Sequence, residues 1–250
     1  MTTAELFRDL TDVYESLVDW GARLAREEPF YRRVFAAHDV RRVVDVACGT
    51  GHHAAMFQRW GLSVEGADFS VAMIERARRR HGESPDLRWA VRSFDQPIGA
   101  VEPFDAAICA GNSLALAADR PMVGRTLQQM FAALHPDGVA VVHVLNLWRL
   151  PDGPCVWQKC QRTVLPQGEM LIVKGVHRSG RQGFVDLIVT GLTPATEMHA
   201  ESAPLLGLEA GELEALARAA GASRCEFFGG YQGEPYVRES SVDLILVASC

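Results

Sequence analysis

Residues 42–53 read RVVDVACGTGHH. The β-branched run RVVDVA (42–47) has the character of a buried strand, and it runs into two glycines, Gly49 and Gly51, flanking a single threonine. HHAAMFQRW, immediately downstream, has helical character. In an open α/β sheet the ligand crevice lies at the carboxyl ends of the strands, where a strand turns into its helix. Small residues at that turn let the backbone approach a ligand, and the helix start offers free N–H groups. Several kinds of nucleotide and cofactor site place glycines there, so the neighbouring residues must decide among them.

Working outward, strand and helix patterns alternate. LSVEGAD (62–68) is a strand and SVAMIERARRR a helix with Ser70 as its N-cap. LRWAV (87–91) and FDAAICAG (104–111) are the third and fourth strands. PMVGRTLQQMFAALHPDG is a helix closed by a turn, and GVAVVHVLNL (138–147) is the fifth strand. This alternation predicts a mostly parallel sheet with helices on both faces, whose strands read as continuous apolar runs because both sides are buried. Upstream, Leu6, Leu10, Val13, Leu17 and Leu24 have helical spacing, with a break at EEPF (27–30) and a second helix through YRRVFAAH.

After Leu150 the pattern changes. VWQKCQRTVL, EMLIVKGVH, GFVDLIVTGL and TEMHAESAPL are extended segments separated by PQG, SGRQG and TPA turns, the pattern of an antiparallel meander. LEAGELEALARAAG (208–221) is a helix with a glycine stop, and CEFFGGY (225–231) and SVDLILVAS (241–249) are the last two strands. The expected organisation is a helical lid over 1–40, a core over 41–150 and 205–250, and an inserted antiparallel segment over 151–204.

Bulk properties exclude some classes. The chain has 250 residues and a formal net charge of −6, so no global field attracts phosphates or an anionic membrane. The basic run ERARRRH (75–81) sits at a helix end, where cations favour the dipole. No apolar run approaches the roughly 20 residues of a membrane span, and the acidic amphipathic start does not resemble a signal peptide. Six cysteines are scattered without a CxxC pair. That suits a cytoplasmic protein with reduced thiols and no structural zinc or other metal, acting on a small molecule and not on nucleic acid or membrane; a homo-oligomer is compatible with this.

Two acidic residues sharpen the glycine turn. Asp45 precedes Gly49 by four, and a carboxylate there would repel a pyrophosphate. The turn fits G-x-G-x-x-G/A only loosely, and the lysine of a phosphate loop is missing. Asp68, ending the second strand, is placed to accept both hydroxyls of a ribose. A cationic, phosphate-free adenosine ligand is S-adenosylmethionine.

VVDVACGTGHHA, GADFSVAM, SFD and FDAAICAGNS, in this order and spacing, resemble a class I S-adenosylmethionine-dependent methyltransferase over residues 40–150. DVACGTG with ICAGNS is most similar to the glycine/sarcosine N-methyltransferase branch and related small-molecule enzymes. The resemblance implies a Rossmann-like seven-stranded sheet and a set of roles. The Ala47–Gly51 backbone would line the methionine part, Asp68 would hold the ribose, and Phe69 and Met73 would pack on adenine. Ser93 and Phe94 would border the adenine edge and Asp95 its amino group, with either Phe94 or Asp95 as the contact. Ala110, Gly111 and Asn112 would pass near the sulfonium. Arg23, 22 residues before Asp45, stands where that branch pairs an arginine with the cofactor carboxylate.

One departure matters. That branch clamps its amino-acid carboxylate with an arginine in the fifth strand, just before an asparagine, and this chain has Leu145-Asn146 there. Losing such a partner removes about 1.5–3 kcal/mol, which makes glycine a poor substrate. Arg149, four residues on, is the alternative. Asn146, Trp148 and Tyr231 are candidate pocket residues, and Asn112 and His143 the catalytic candidates, although a satisfied core histidine is the commoner reading of His143. An amine acceptor needs only to be bound unprotonated, whereas a hydroxyl needs a base or a metal. N-methylation is therefore the expected reaction. O-methylation with a histidine base, a non-catalytic cofactor-binding module and a nicotinamide-dependent dehydrogenase are its rivals.

Overall fold

The computed structural model describes residues 11–99, 101–166, 168–192 and 198–250. Leu6 and Leu10 of the N-terminal pattern, Gln167 of the PQG turn and the TPA turn (193–195) lie outside the described residues.

Seven strands form the central sheet: β1 (Arg42–Asp45), β2 (Ser63–Asp68), β3 (Leu87–Val91), β4 (Phe104–Cys109), β5 (Leu134–Leu145), β10 (Arg224–Phe228) and β11 (Asp243–Ser249). Their order is β3-β2-β1-β4-β5-β11-β10, and all pairs are parallel except the two that β11 makes with its neighbours. The expected double-sided burial is there. Val44, Val142 and Leu246 pack on one face against α5 (Arg120–Ala132) and α6 (Ala210–Ala220). Val43, Val141 and Ile245 pack on the other against α2 (Trp20–Ala37), α3 (His52–Arg59) and α4 (Val71–His81). Adjacent residues of one strand thus feed opposite cores.

A second sheet, β6-β7-β8-β9, is the antiparallel meander: β6 (Val156–Leu165), β7 (Gly168–Ser179), β8 (Gln182–Gly191) and β9 (Met198–Leu206). Its inner face carries Leu165, Met170, Ile172, Leu187, Val189 and Ala203. These close a small core with Val13 and Leu17 of α1 (Thr11–Leu17).

Two expectations need correction. The break at 27–30 is absent: α2 runs unbroken through Pro29, and the chain breaks instead at Val18-Asp19, where Asp19 caps α2 by accepting from the Ala22 N–H (3.0 Å). Proline in a helix forfeits one backbone hydrogen bond. The helix persists because Phe30 and Tyr31 are fully buried beside it and Glu27, also fully buried, is anchored to Arg23 (2.8 Å) and His53 (2.6 Å). The second correction concerns HPDG (135–138). This turn does not separate helix from strand but is folded into the start of β5 as a bulge, where the pairing slips from Phe104↔Leu134 to Ala106↔Val139.

Burial alone works to raise the Glu27 carboxyl, but the His53 hydrogen bond and the Arg23 charge outweigh it and hold the group at about 2. Glu27→Gln leaves the guanidinium buried without its counter-charge. We expect a loss of about 3–5 kcal/mol in urea unfolding at neutral pH; an unchanged midpoint would show that the pair does not anchor α2.

Candidate functional site

The glycine turn after β1 and the end of β2 meet at one carboxylate. Asp68 Oδ2 accepts from the Gly49 N–H and Oδ1 from the Ser70 N–H, both at 2.9 Å. An ionised carboxylate has about four acceptor positions, so each oxygen keeps one. Asp68 lines a cavity of about 610 Å³, which opens in front of the sheet's carboxyl ends, beneath α1 and the inner face of the meander. Burial raises the Asp68 carboxyl above its ordinary range, opposed by those two backbone N–H groups. Ser70 also caps α4, its hydroxyl accepting from the Met73 N–H, as the sequence suggests.

Of the residues the sequence singles out, Arg23, Ala47, Gly49, Asp68, Phe69, Met73, Ser93, Phe94, Gly111 and Asn112 are brought together on this cavity. Gly49 has φ +55° and lies beneath the Tyr14 ring; a β-carbon there would sit 3.6 Å from the Tyr14 hydroxyl. Gly51 does a different job. It has φ +84°, and a β-carbon would fall 2.4 Å from the Trp89 ring, so its small size serves packing and the entry into α3. Asn112 holds a left-handed turn (φ +70°) while its side-chain oxygen accepts from the Leu145 N–H (2.8 Å).

Other candidates are not on the cavity. Asp45 is buried behind the turn, where burial pushes its carboxyl up to about 7; the nearby Asp68 adds to this, while an Ala47 N–H and Arg23 oppose it. Ala110 is buried at the end of β4. Asp95 accepts from the Ser93 hydroxyl (2.6 Å) and pairs with Arg125 (3.4 Å), which turns it away. His143 does not line the cavity either. Its Nδ1 accepts from the Gly111 N–H (3.2 Å) and its Nε2–H donates to Asp243 (3.0 Å), so both ring nitrogens are engaged within the fold. The pocket candidates are also corrected. Asn146 is fully buried, donating to the Arg238 and Ser241 carbonyls and accepting from the Trp148 N–H. Trp148 donates to the Leu208 carbonyl beneath the Arg238 guanidinium, and Tyr231 is buried against Phe30 and Tyr31 under α2. Arg149 is exposed.

Sequence reasoning missed Tyr14, Val18, Met122 and the meander residues Lys174, Val185, Leu187 and Leu205, all on the cavity. Burial pushes the Tyr14 phenol up to about 12, so it stays protonated. Glu15 of α1 reaches Thr50, His52 and Arg80, which clasps α1 onto the glycine turn. It also missed Cys155 and Asp186, which meet His177 on the opposite face of the meander. There Asp186 accepts from His177 (2.6 Å) and Cys155 (3.4 Å), a set of metal-ligand type apart from the cavity. All six cysteines are free. Among the described residues no helix is long and apolar enough to cross a membrane.

Residues 43–138 match a family described as a methyltransferase domain. The chain is 33% identical over 155 residues to the glycine/sarcosine N-methyltransferase of Parasynechococcus marenigrum (strain WH8102), a match covering 60% of this chain and 54% of that protein. The chain thus spans about half the length of that relative. Its fold resembles the CcbJ methyltransferase from Streptomyces caelestis, with a TM-score of 0.79, 19% identity and coverage of 99% of this chain and 97% of that one. It also resembles CalS10, an amino pentose methyltransferase from Micromonospora echinaspora solved with its cofactor, at a TM-score of 0.70, 24% identity and coverage of 95% and 96%. Over residues 43–138 the chain is thus similar to methyltransferase domains, and its fold is shared with solved methyltransferases, one of them bound to S-adenosylmethionine. The Asp68 carboxylate, with one acceptor position left on each oxygen, and the ring and thioether of Phe69 and Met73 beside it fit an adenosine, offering acceptors to a ribose diol and an apolar face to a purine.

Two variants test this assignment. Asp68→Ala is expected to abolish the thermal shift that S-adenosylhomocysteine gives the wild type, and a retained shift would refute the ribose role. Asp45 is an acid whose folded-state value, about 7, lies above its ordinary 3.8. Its contribution to stability is therefore fully present below about pH 4, is lost as pH rises to 7, and changes no further beyond. Asp45→Asn removes that slope, gaining up to about 4 kcal/mol over wild type at pH 8; parallel stability curves for the two proteins from pH 4 to 8 would contradict it.

Proposed function

We propose that the chain moves the methyl group of S-adenosylmethionine to an amine nitrogen of a small molecule by in-line displacement. The observation that carries this reading is the Asp68 carboxylate, restrained from two sides at one end of a cavity that continues past Gly111 and Asn112 to the meander. When bound, the cofactor supplies an electrophilic methyl on a sulfonium. The chain's own residues bind, orient and exclude water. Asp68 accepts the ribose hydroxyls, while Phe69, Met73 and Phe94 take the adenine. Arg23, held by Glu27 at 2.8 Å, presents its guanidinium beside Gly111 for the cofactor carboxylate.

The helices α1 and α2 act as a lid, and the inner face of the meander forms the acceptor wall. Positioning and desolvation in such an enclosure supply much of the rate enhancement for a displacement.

Nitrogen is favoured over oxygen by the titratable groups on the cavity. Among the described residues these are, apart from Asp68, Tyr14, Arg23 and Lys174, with no histidine. His143, the base an O-methyltransferase would need, has both ring nitrogens committed. An amine that arrives unprotonated aims its own lone pair and requires no base. Net charge −6 disfavours nucleic acid as the acceptor, and the six free thiols suit a reducing cytoplasm.

The test is a screen of primary and secondary amines against matched alcohols with methyl-labelled S-adenosylmethionine. Label transfer to an amine, with a rate that rises with pH as the acceptor loses its proton, is expected. Transfer only to alcohols would overturn the nitrogen assignment. Tight cofactor binding without transfer to any acceptor would favour the non-catalytic module.

A further inference from the structure

The chain has two lysines against 23 arginines, and both lysines lie on the inner face of the meander. Lys159 of β6 and Lys174 of β7 are directly paired across the ladder. Like charges at paired positions destabilise a sheet, so something must offset this arrangement. Lys159 is accounted for: its ammonium donates to the Leu17 carbonyl at the end of α1. Lys174 is not. Its side chain points into the cavity, and no ion pair or hydrogen bond engages it among the described residues.

The surroundings of Lys174 make the imbalance larger. Burial, then the charges of Arg23 and Lys159, press its ammonium below the ordinary lysine range. The acidic groups nearby are committed elsewhere. Glu27 holds Arg23 and His53, and Asp68 is tied to Gly49 and Ser70 at the far end of the cavity. Glu201 shares this sheet face, but Leu187 stands between it and Lys174, and its carboxylate reaches His199 (3.2 Å). An apolar wall with one uncompensated cation is arranged for an anion that arrives with a ligand.

We infer that Lys174 receives an anionic group of the methyl acceptor, a carboxylate or a phosphate, at the meander end of the cavity. The inference rests on the reading of the cavity as a methyl-transfer site with Arg23 serving the cofactor carboxylate. The acceptor is then an amine that also carries a negative charge, and β7 holds the charge that the fifth strand lacks at Leu145-Asn146. Lys174 is a binding and positioning residue: it holds one end of the acceptor so that the nitrogen at the other end faces the methyl.

The two-lysine composition makes a direct experiment practical. Reductive methylation with ¹³C-formaldehyde labels only Lys159, Lys174 and the amino terminus, and the dimethylated lysines keep their charge. Lys159→Arg and Lys174→Met assign the signals. The labelled protein, saturated with S-adenosylhomocysteine, is titrated with acetate and separately with inorganic phosphate. The Lys174 resonance is expected to move with at least one anion, its titration midpoint rising by on the order of one pH unit while Lys159 stays still. The anion with the larger effect identifies carboxylate or phosphate. Lys174→Met is expected to keep wild-type affinity for S-adenosylhomocysteine.

A Lys174 signal indifferent to both anions would overturn the inference. So would an anion response that S-adenosylhomocysteine abolishes, or a cofactor affinity lost in Lys174→Met, since either would assign Lys174 to the cofactor carboxylate. If S-adenosylhomocysteine perturbs nothing while the anion shift persists, the methyl-transfer reading fails and the acceptor assignment fails with it, leaving an anion site of another kind.

Discussion

The hydrogen bond from the Gly49 N–H to the Asp68 carboxylate, 2.9 Å long, ties the end of β1 to the end of β2, and the geometry of the site is set from it. It requires Gly49 to adopt a left-handed conformation so that its N–H faces the neighbouring strand. It also fixes which way Asp68 points, because the Ser70 N–H holds the other oxygen from the start of α4. With both oxygens restrained, the remaining acceptor positions have fixed directions, and a ribose diol can be recognised without reordering the loop. Gly51, two residues on, meets a packing demand imposed by Trp89. The two glycines look equivalent in the sequence and are required for unrelated reasons.

Charge is distributed along the cavity in a way that follows from this anchor. Acidic groups gather at the turn, where burial raises both Asp45 and Asp68 and the Asp68 charge adds to the rise at Asp45. Arg23 faces them from α2, kept in place by Glu27, which in turn is bonded to His53 of α3. The Glu27 bridge therefore does two things: it fastens α2 to α3 despite Pro29, and it aims a cation at the site. Toward the meander the lining turns apolar, with Leu17, Val185, Leu187 and Leu205, and the remaining charge is Lys174.

Much of this was legible in the sequence where the signal is local. The strand runs, the Ser70 cap, the glycine turn and the carboxylate ending β2 depend on neighbours within a few residues, and the structure has them where the pattern puts them. The meander was legible as four extended segments. Which side of each strand faces the cavity was not, because a one-residue slip reverses every side chain and β6 carries an irregularity between Trp157 and Lys159. Lys174 could have been found only from the count of lysines. The continuity of α2 through Pro29 depends on Glu27, Phe30 and Tyr31 finding partners far along the chain. His143, Asn146, Trp148 and Tyr231 carry chemistry that suits a pocket, and each is spent on long-range hydrogen bonds or ring packing that no local pattern reveals.

The most direct measurement is a crystal structure of the chain grown with S-adenosylhomocysteine. The account predicts the ribose hydroxyls on the two free positions of Asp68, the adenine against Phe69 and Met73, and the homocysteine carboxylate at Arg23, with the sulfur facing the meander. A ligand bound elsewhere, or one whose ribose does not reach Asp68, would contradict it.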